Sequence, residues 1–291
     1  MSRPRIVVGV DESSESAAAA RWAAREALCR DAPLHLVHAW AWSPCPPTGT
    51  PEAAGRRGRP ARAVAFVAER LVEILPAGYA TTGTVEGPAT SALLKAAETA
   101  GMLVLGSRGL GAVAGVLVGS VAAAVTARAS CPVVLVKEDA GGAGHAADSH
   151  DVVLGLDLGD PCDEVIDFAF EAARTHRARL HVVSAWPRPG PLTVGPGEIA
   201  LTDESQQARE WDGFQDAVLR TWRDKYPGVD VCRTLTQGRP QTALPAAASE
   251  AGLVVVGRRR RHEPYIGPRT GPVAHAALHH VLCPVAVVPH D

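Results

Sequence analysis

This chain of 291 residues has few aromatic residues and a net charge close to zero. Aromatic side chains make up 4% of the sequence, and 29 basic residues nearly balance 31 acidic ones, so the net charge is −2. A near-neutral chain has no general attraction to nucleic acid or to anionic lipid. The two arginine-rich runs, 56–59 and 258–261, have no interleaved aromatic residues that would stack on bases. We therefore expect neither nucleic acid nor a membrane as a partner.

Paired cysteine motifs and long apolar spans are also missing. The six cysteines form no C-x-x-C pair and no dense framework, which predicts reduced thiols in a cytoplasmic protein. The N-terminal residues run directly into an apolar strand and leave no room for a signal-peptide core, so export is not expected. The uncharged stretch 110–127 approaches the length of a membrane helix, but its glycines favour a loop followed by a buried helix.

A glycine-spaced stretch follows one of the short apolar runs. Gly106 and Gly109 flank Ser107 and Arg108, and nine residues later come Gly119 and Ser120. We expect a helix to begin there with Ser120 as its cap. A strand, a glycine loop and a helix N-terminus in series favour an anion such as phosphate, because free N–H groups and the helix dipole point towards it.

A purely structural interpretation of the same stretch remains open. Glycine commonly ends a strand and begins a turn, and serine is an ordinary helix cap. The stretch contains neither the Gly-Lys-Ser/Thr ending of a P-loop nor the Gly-x-Gly-x-x-Gly dinucleotide fingerprint. Without a P-loop lysine, efficient hydrolysis is not indicated, and we assign no catalytic residues and no metal ligands.

Four short segments recur in the second half of the chain in the same order. Their offsets are 146, 146, 151 and 152 residues, since segments 6–11, 37–40, 103–106 and 131–134 return as 152–157, 183–186, 254–257 and 283–286. A glycine-rich polar stretch between the copies is typical of a linker. We predict two domains, residues 1–138 and 150–291.

Within each copy, apolar strands alternate with amphipathic helices. In the first copy we place strands near residues 5–10, 34–40, 80–85, 102–106 and 132–136. This alternation predicts an α/β fold in which each domain is a doubly wound, five-stranded parallel sheet with helices on both faces. Ligands of such sheets bind at the carboxyl ends of the strands, where Asp11, the residues after Val37, and Gly106 converge.

These motifs together resemble the universal stress protein family, in a tandem form of the actinobacterial kind. The family signature Gly-x2-Gly-x9-Gly-Ser/Thr is matched in full by the first copy, and residues 8–14 and 85–88 are similar to its first and third strands. The resemblance covers essentially the whole chain. It implies a Rossmann-like fold that binds adenine nucleotide: ATP, with or without Mg²⁺, or alternatively AMP or ADP.

The resemblance also implies roles for particular residues. Asp11 would hold the ribose or adenine side; a turn or cap carboxylate is the alternative, and the matching Asp157 of the second copy favours the ligand role. The main chain around Val37 would recognise the adenine edge, and the glycine loop would surround the phosphates. The implied ligand-binding residues of the first copy are Val10, Asp11, Val37, His38, Gly106, Arg108, Gly109, Gly119, Ser120 and Val121. Those of the second copy are Asp157, Gly257 and Gly271.

The second copy departs from the signature. Arg260 stands at the second glycine position, and Pro272 replaces the serine, removing a hydroxyl and an N–H donor. The arginines at 258–261 would either replace these phosphate ligands or form a solvated basic loop. His275 and His279 are spaced for one helix face, but they lack a third ligand and are expected on a helix surface.

We therefore predict a cytoplasmic ATP-binding regulatory protein that is not an enzyme. The nucleotide would act as a conformational or partner-binding signal, with slow hydrolysis at most. By resemblance, strands beginning at Pro132 and Pro284 would pair the two domains, and the chain would form a homodimer and bind an unknown protein partner. The alternatives are a nucleotide-independent interaction module and an adenylyl- or phosphoryl-transfer enzyme, for which no acidic metal cluster is evident.

Overall fold

The residues that the structure describes form one ten-stranded sheet with helices on both faces. The computed structural model describes residues 4–40, 59–71, 73–107, 118–138, 151–186, 204–260 and 270–291. The strands are β1 Ile6–Gly9, β2 Leu34–Trp40, β3 Ala80–Glu86, β4 Met102–Gly106, β5 Val133–Val136, β6 Val152–Gly155, β7 Leu180–Trp186, β8 Val231–Gln237, β9 Leu253–Arg259 and β10 Val285–His290. The helices are α1 Ser14–Arg30, α2 Arg59–Leu71, α3 Ala89–Ala97, α4 Ser120–Thr126, α5 Asp163–His176, α6 Glu204–Lys225, α7 Pro240–Ala247 and α8 Pro272–His280.

The strand order confirms the predicted doubly wound fold in both copies. The first half of the sheet runs β3-β2-β1-β4-β5 and the second half β8-β7-β6-β9-β10, with every pair inside a half parallel. The chain direction across the sheet reverses between β1 and β4, and again between β6 and β9. These switch points are where sheets of this kind open a ligand crevice at their carboxyl edge.

The two halves join through their last strands, as predicted. β5 and β10 pair antiparallel, with Val134 opposite Ala286. Each of the two strands also has a parallel neighbour on its other side, β4 or β9, so neither has an open edge for a second chain. The predicted homodimer would therefore need another surface, and it stays a prediction.

An alanine face brings helix α1 close to the sheet. Its core-facing positions, none more than 3% exposed, are Ala17, Ala18, Ala19, Ala20, Ala23, Ala24 and Ala27. The helix begins after Ser13, whose hydroxyl accepts the N–H of Ser16 at 3.1 Å and so satisfies one of the unpaired donors of the first turn. Within the described residues, no helix combines the length and apolar character that crossing a membrane requires.

A buried charge cluster connects α1 with α5 of the second half. Glu26 is 1% exposed; it forms an ion pair with Arg30 on its own helix, and its Oε2 lies 2.9 Å from Nε2 of His176 on α5. Arg30 in turn lies 3.2 Å from a carboxylate oxygen of Glu171 and stacks over the ring of Phe168. The two halves thus share a network of charges in addition to the β5–β10 ladder.

Replacing Gly87 with alanine should lower the free energy of unfolding by about 1–3 kcal/mol. Gly87 joins β3 to α3 with a φ of +130°, and Gly238 holds the corresponding place in the second half with a φ of +134°. A Cβ at Gly87 would meet nothing within 4 Å, so the cost is one of backbone conformation alone. Urea denaturation measures it.

Gly213→Ala is the matched control for this substitution. Gly213 lies inside helix α6, and a Cβ there would also meet nothing within 4 Å. Alanine should raise stability there by about 0.5–1 kcal/mol, because glycine loses more conformational freedom in a helix. Unchanged stability in Gly87→Ala would mean that this turn relaxes to a negative φ at no cost.

Candidate functional site

The carboxyl ends of β1 and β2 are tied together at the rim of the first switch point. The N–H of Val10, just after β1, donates to the carbonyl of Val37 at 2.9 Å. Nδ1 of His38 lies 2.8 Å from the carbonyl oxygen of Val10. Three of the predicted site residues therefore lie together at one edge of the sheet, next to the end of β4.

Strand alternation directs main-chain groups of β2 into this crevice. In a parallel ladder, alternate residues point their N–H and C=O groups at the same neighbour. Val37 pairs with Gly9 at the end of β1, so Ala39 points the same way, beyond the point where β1 has ended. Its N–H and C=O are suited to reading the hydrogen-bonding edge of a planar base.

Asp11 takes part in the turn that begins α1. One of its carboxylate oxygens accepts the N–H of Ser13 at 3.0 Å and also bonds the Ser13 hydroxyl. The Ser16 hydroxyl donates to the main-chain oxygen of Asp11 at 2.7 Å. Asp11 therefore has the turn role, which the sequence analysis gave as the alternative to a ligand role. The same bonds fix its half-buried carboxylate at the crevice.

The two ends of the glycine loop meet between β4 and α4. The N–H of Ser107 donates to the carbonyl of Val136 at 2.8 Å, and the N–H of Gly119 donates to the carbonyl of Ser107 at 2.7 Å. Gly106 ends β4 beside them. Arg108 and Gly109 lie outside the described residues.

The predicted serine cap of α4 is wrong. Gly119 is the N-cap, in an extended conformation with φ −67° and ψ 155°, and Ser120 is the first helical residue. The bond from Gly119 to the Ser107 carbonyl holds the glycine in the cap position, so the exposed Ser120 begins the helix. The N–H groups of Ser120 and Val121 belong to the first turn, which has no preceding carbonyls of its own helix to bond.

The second half repeats the main-chain hydrogen bonds of this crevice, but the groups that would contact a ligand are different. The N–H of Leu156 donates to the carbonyl of Val183 at 2.9 Å, as Val10 does to Val37. Asp157 is exposed, and its carboxylate accepts the N–H of Gly159 at 2.9 Å. Gly271 caps α8 as Gly119 caps α4, but Pro272 follows it at the first helical position and offers no N–H.

Two arginines of the second copy bind the first half of the chain. Arg258, 6% exposed, donates to the carbonyls of Ala127 at 3.1 Å and of Ala129 at 2.5 Å, just past the end of α4. Arg260 donates to the carbonyl of Ser130 at 3.2 Å. Both side chains therefore bind main-chain oxygens of the first half. Sequence reasoning missed this role because about 130 positions separate the partners.

The other arginine and histidine candidates of the second half that the structure describes take no part in these bonds to the first half. Arg259 forms an ion pair with Asp160, and Arg261 lies outside the described residues. His275 and His279 stack on one helix face with their ring centroids 4.2 Å apart, as their spacing predicts. In the part of the chain that the structure describes, no cluster of metal-ligating side chains includes either histidine.

Comparison with known proteins matches both halves of the chain to the same family. The model of the universal stress protein family matches residues 2–137 and 149–289. A universal stress protein of Mycolicibacterium smegmatis is 35% identical over 298 residues, covering 97% of this chain and 96% of that protein. A universal stress protein of Mycobacterium tuberculosis, Rv2623, is 30% identical over 302 residues, covering 97% and 95%.

A solved structure shares the whole architecture. The crystal structure of a universal stress protein from Archaeoglobus fulgidus covers 99% of this chain and 98% of its own, with a TM-score of 0.66 at 14% identity, which shows a common fold. The family model and the curated relatives extend over nearly the full length, with two copies of the family domain in one chain. This chain belongs to the universal stress protein family.

Proposed function

We propose that this chain is a cytoplasmic regulatory protein that binds an adenine nucleotide in its first half. The observation that carries the proposal is the junction of β4 and α4, where the Gly119–Ser107 bond brings the start of α4 to the end of β4 at the switch point. First-turn N–H groups of α4 suit phosphate, and the main chain of Ala39 suits the base.

ATP, with or without Mg²⁺, is the proposed ligand, with AMP and ADP as the alternatives. The nucleotide would act as a signal that changes the surface offered to a protein partner, and turnover would be slow at most. The loop has no lysine of the P-loop type, and a phosphoryl-transfer enzyme would need more charge at the transferring group than this stretch supplies. The second half, with Pro272 in place of serine, would bind nucleotide weakly or not at all.

Ser120→Pro should abolish nucleotide binding while leaving the fold intact. The second half already carries proline at the corresponding first position of α8, so the exchange is compatible with this helix start. It removes one N–H donor and one hydroxyl from the proposed phosphate site. The test is urea denaturation with ATP, ADP and AMP, each with and without Mg²⁺.

The wild-type chain should gain about 2.7 kcal/mol of stability at a nucleotide concentration of 100 times Kd, and Ser120→Pro should gain none. The matched control is the reverse exchange, Pro272→Ser, which leaves the first half untouched and should keep the stabilisation. Hydrolysis of ATP is followed in the same samples. If no nucleotide stabilises the wild type, the proposal fails.

A nucleotide-independent interaction module is the second candidate function. Asp11 and the N–H of Gly119 already have partners within the chain, so the turn before α1 and the start of α4 are held by bonds of the chain itself. Under this hypothesis, no adenine nucleotide changes the stability of the wild type or of either variant. The same denaturation series therefore separates the two functions.

A further inference from the structure

Three side chains of different chemistry converge at the carboxyl edge of the second half. Asp160 lies in the turn after β6, Cys162 is the N-cap of α5, and His290 is the last residue of β10. Their ligand atoms, a carboxylate oxygen, Sγ and a ring nitrogen, all lie within 4.8 Å of one another. They form the one group of this kind among the residues that the structure describes.

The imidazole of the cluster is held by packing. His290 is 8% exposed, and its ring lies against Gly257, where an added Cβ would come within 2.9 Å of Nε2. His290 also pairs with Arg259 in the β10–β9 ladder, so its backbone is fixed. The opposite ring nitrogen, Nδ1, is left facing the cysteine.

The thiol lies close to the imidazole and to the main chain of Asp160. Sγ of Cys162 lies 2.9 Å from Nδ1 of His290 and 3.2 Å from the main-chain oxygen of Asp160. The main-chain oxygen of Asp291 lies 3.1 Å from the same ring nitrogen. Because this oxygen accepts only, the ring can donate its Nδ1 proton to it in one tautomer and accept from the thiol in the other.

We propose that Asp160, Cys162 and His290 form a binding site for a divalent transition-metal ion, for which Zn²⁺ is the best match. Thiolate, imidazole and carboxylate are the three side-chain ligands that Zn²⁺ takes in proteins, and three of them leave a fourth position for water. Thiolate as a ligand disfavours the hard ions Mg²⁺ and Ca²⁺. On binding, the Cys162 S–H bond breaks, the sulfur electron pair goes to the metal, and the proton leaves to solvent.

Charges of both signs face this site: Asp157 and Glu164 are negative, and two further groups are positive. Arg259 forms an ion pair with the Asp160 carboxylate, and the positive end of the α5 dipole points towards Cys162. Both oppose a cation. Replacing Arg259 with alanine should therefore tighten metal binding. If Arg259 only supported the fold, its replacement would not have this effect.

The site is tested with Co²⁺ as the probe, in the full-length chain under reducing conditions. Cobalt bound to a thiolate gives a charge-transfer band in the near ultraviolet, and Zn²⁺ should displace it. Cys162→Ser keeps a small polar residue at the N-cap and should abolish the band. Cys232→Ser, which removes another half-buried thiol in β8, is the matched control and should retain it.

Three further measurements complete the test. Arg259→Ala should bind Co²⁺ more tightly, His290→Gln should bind it at least 10-fold more weakly, and affinity should rise with pH because a thiol proton is released. Far-UV circular dichroism checks that each variant is folded. Absence of the band in the folded wild type, or its persistence in Cys162→Ser, would overturn the proposal. Nucleotide binding by the first half plays no part in either outcome.

Discussion

Replacing Glu26 with alanine is expected to destabilise the chain by about 3–5 kcal/mol, because it breaks a buried ion pair and leaves Arg30 with only the exposed carboxylate of Glu171. Glu26 is 1% exposed, and Arg30 beside it has a side chain only 13% exposed. The same carboxylate bonds His176 in the other half of the chain, so the loss also weakens the contact between α1 and α5. Urea denaturation gives the change in the free energy of unfolding.

Glu69→Ala is the control for this effect. Glu69 is an exposed residue of α2, and the same exchange there should change stability by no more than about 0.5 kcal/mol. An equally small effect at Glu26 would show that Arg30 and His176 find water or other partners once the carboxylate is gone. The charge cluster would then contribute nothing to holding the halves together.

The contribution of Glu26 should depend on pH in a defined direction. Burial by itself raises the pKa of this carboxyl, but the hydrogen bonds and charges of His176 and Arg30 outweigh it and hold the pKa below its ordinary value. A carboxyl with a lowered pKa stabilises the fold above its unfolded-state pKa and loses that stabilisation as the pH falls through the folded-state value. The stability gap between wild type and Glu26→Gln should therefore narrow in acid.

Arg258→Ala should destabilise the chain by about 2–3 kcal/mol, from the loss of charge-assisted hydrogen bonds. The guanidinium binds the half-buried carbonyl of Ala127 and the buried carbonyl of Ala129, and both acceptors would lose this partner. Burial, together with the neighbouring charge of Arg260, lowers the pKa of Arg258, which means that desolvation offsets part of the gain. The measurement is again the urea midpoint.

Two control variants separate charge from geometry at this position. Arg258→Lys keeps the positive charge but replaces the planar fork with a single ammonium, so we expect an intermediate loss. Arg209→Ala, at an exposed position of α6, should have little effect. If Arg258→Lys is as stable as the wild type, the two-carbonyl geometry is unimportant and only a charge near the end of α4 is needed.

The elements and the switch points could be predicted because they depend on local patterns. The inner strands contain short apolar runs, whereas the outer strands β3 and β8 are largely polar, and the repeat offsets place the same frame twice. The alternation of strands and helices then leaves few topologies. Asp11, Val37 and Gly106 follow from that frame, since the carboxyl ends of neighbouring parallel strands share one edge.

The contacts that depend on three-dimensional position could not be predicted. Arg258 meets Ala127 across 131 positions, and Cys162 meets His290 across 128, so neither pair has a spacing that a motif search would detect. The cap of α4 was assigned to serine by residue preference, but the hydrogen bond from Gly119 to Ser107 decides it. Local preference cannot include a bond that the fold itself creates.

The antiparallel junction of β5 and β10 places the carboxyl edges of the two half-sheets at opposite ends of the chain's sheet. Because every strand within a half is parallel, one antiparallel pair turns the second carboxyl edge to face away from the first. Helix α4, about 10 Å long, runs from the first edge at Ser120 to the neighbourhood of Arg258 at the second. The two carboxyl edges of the chain therefore open at opposite ends of the sheet.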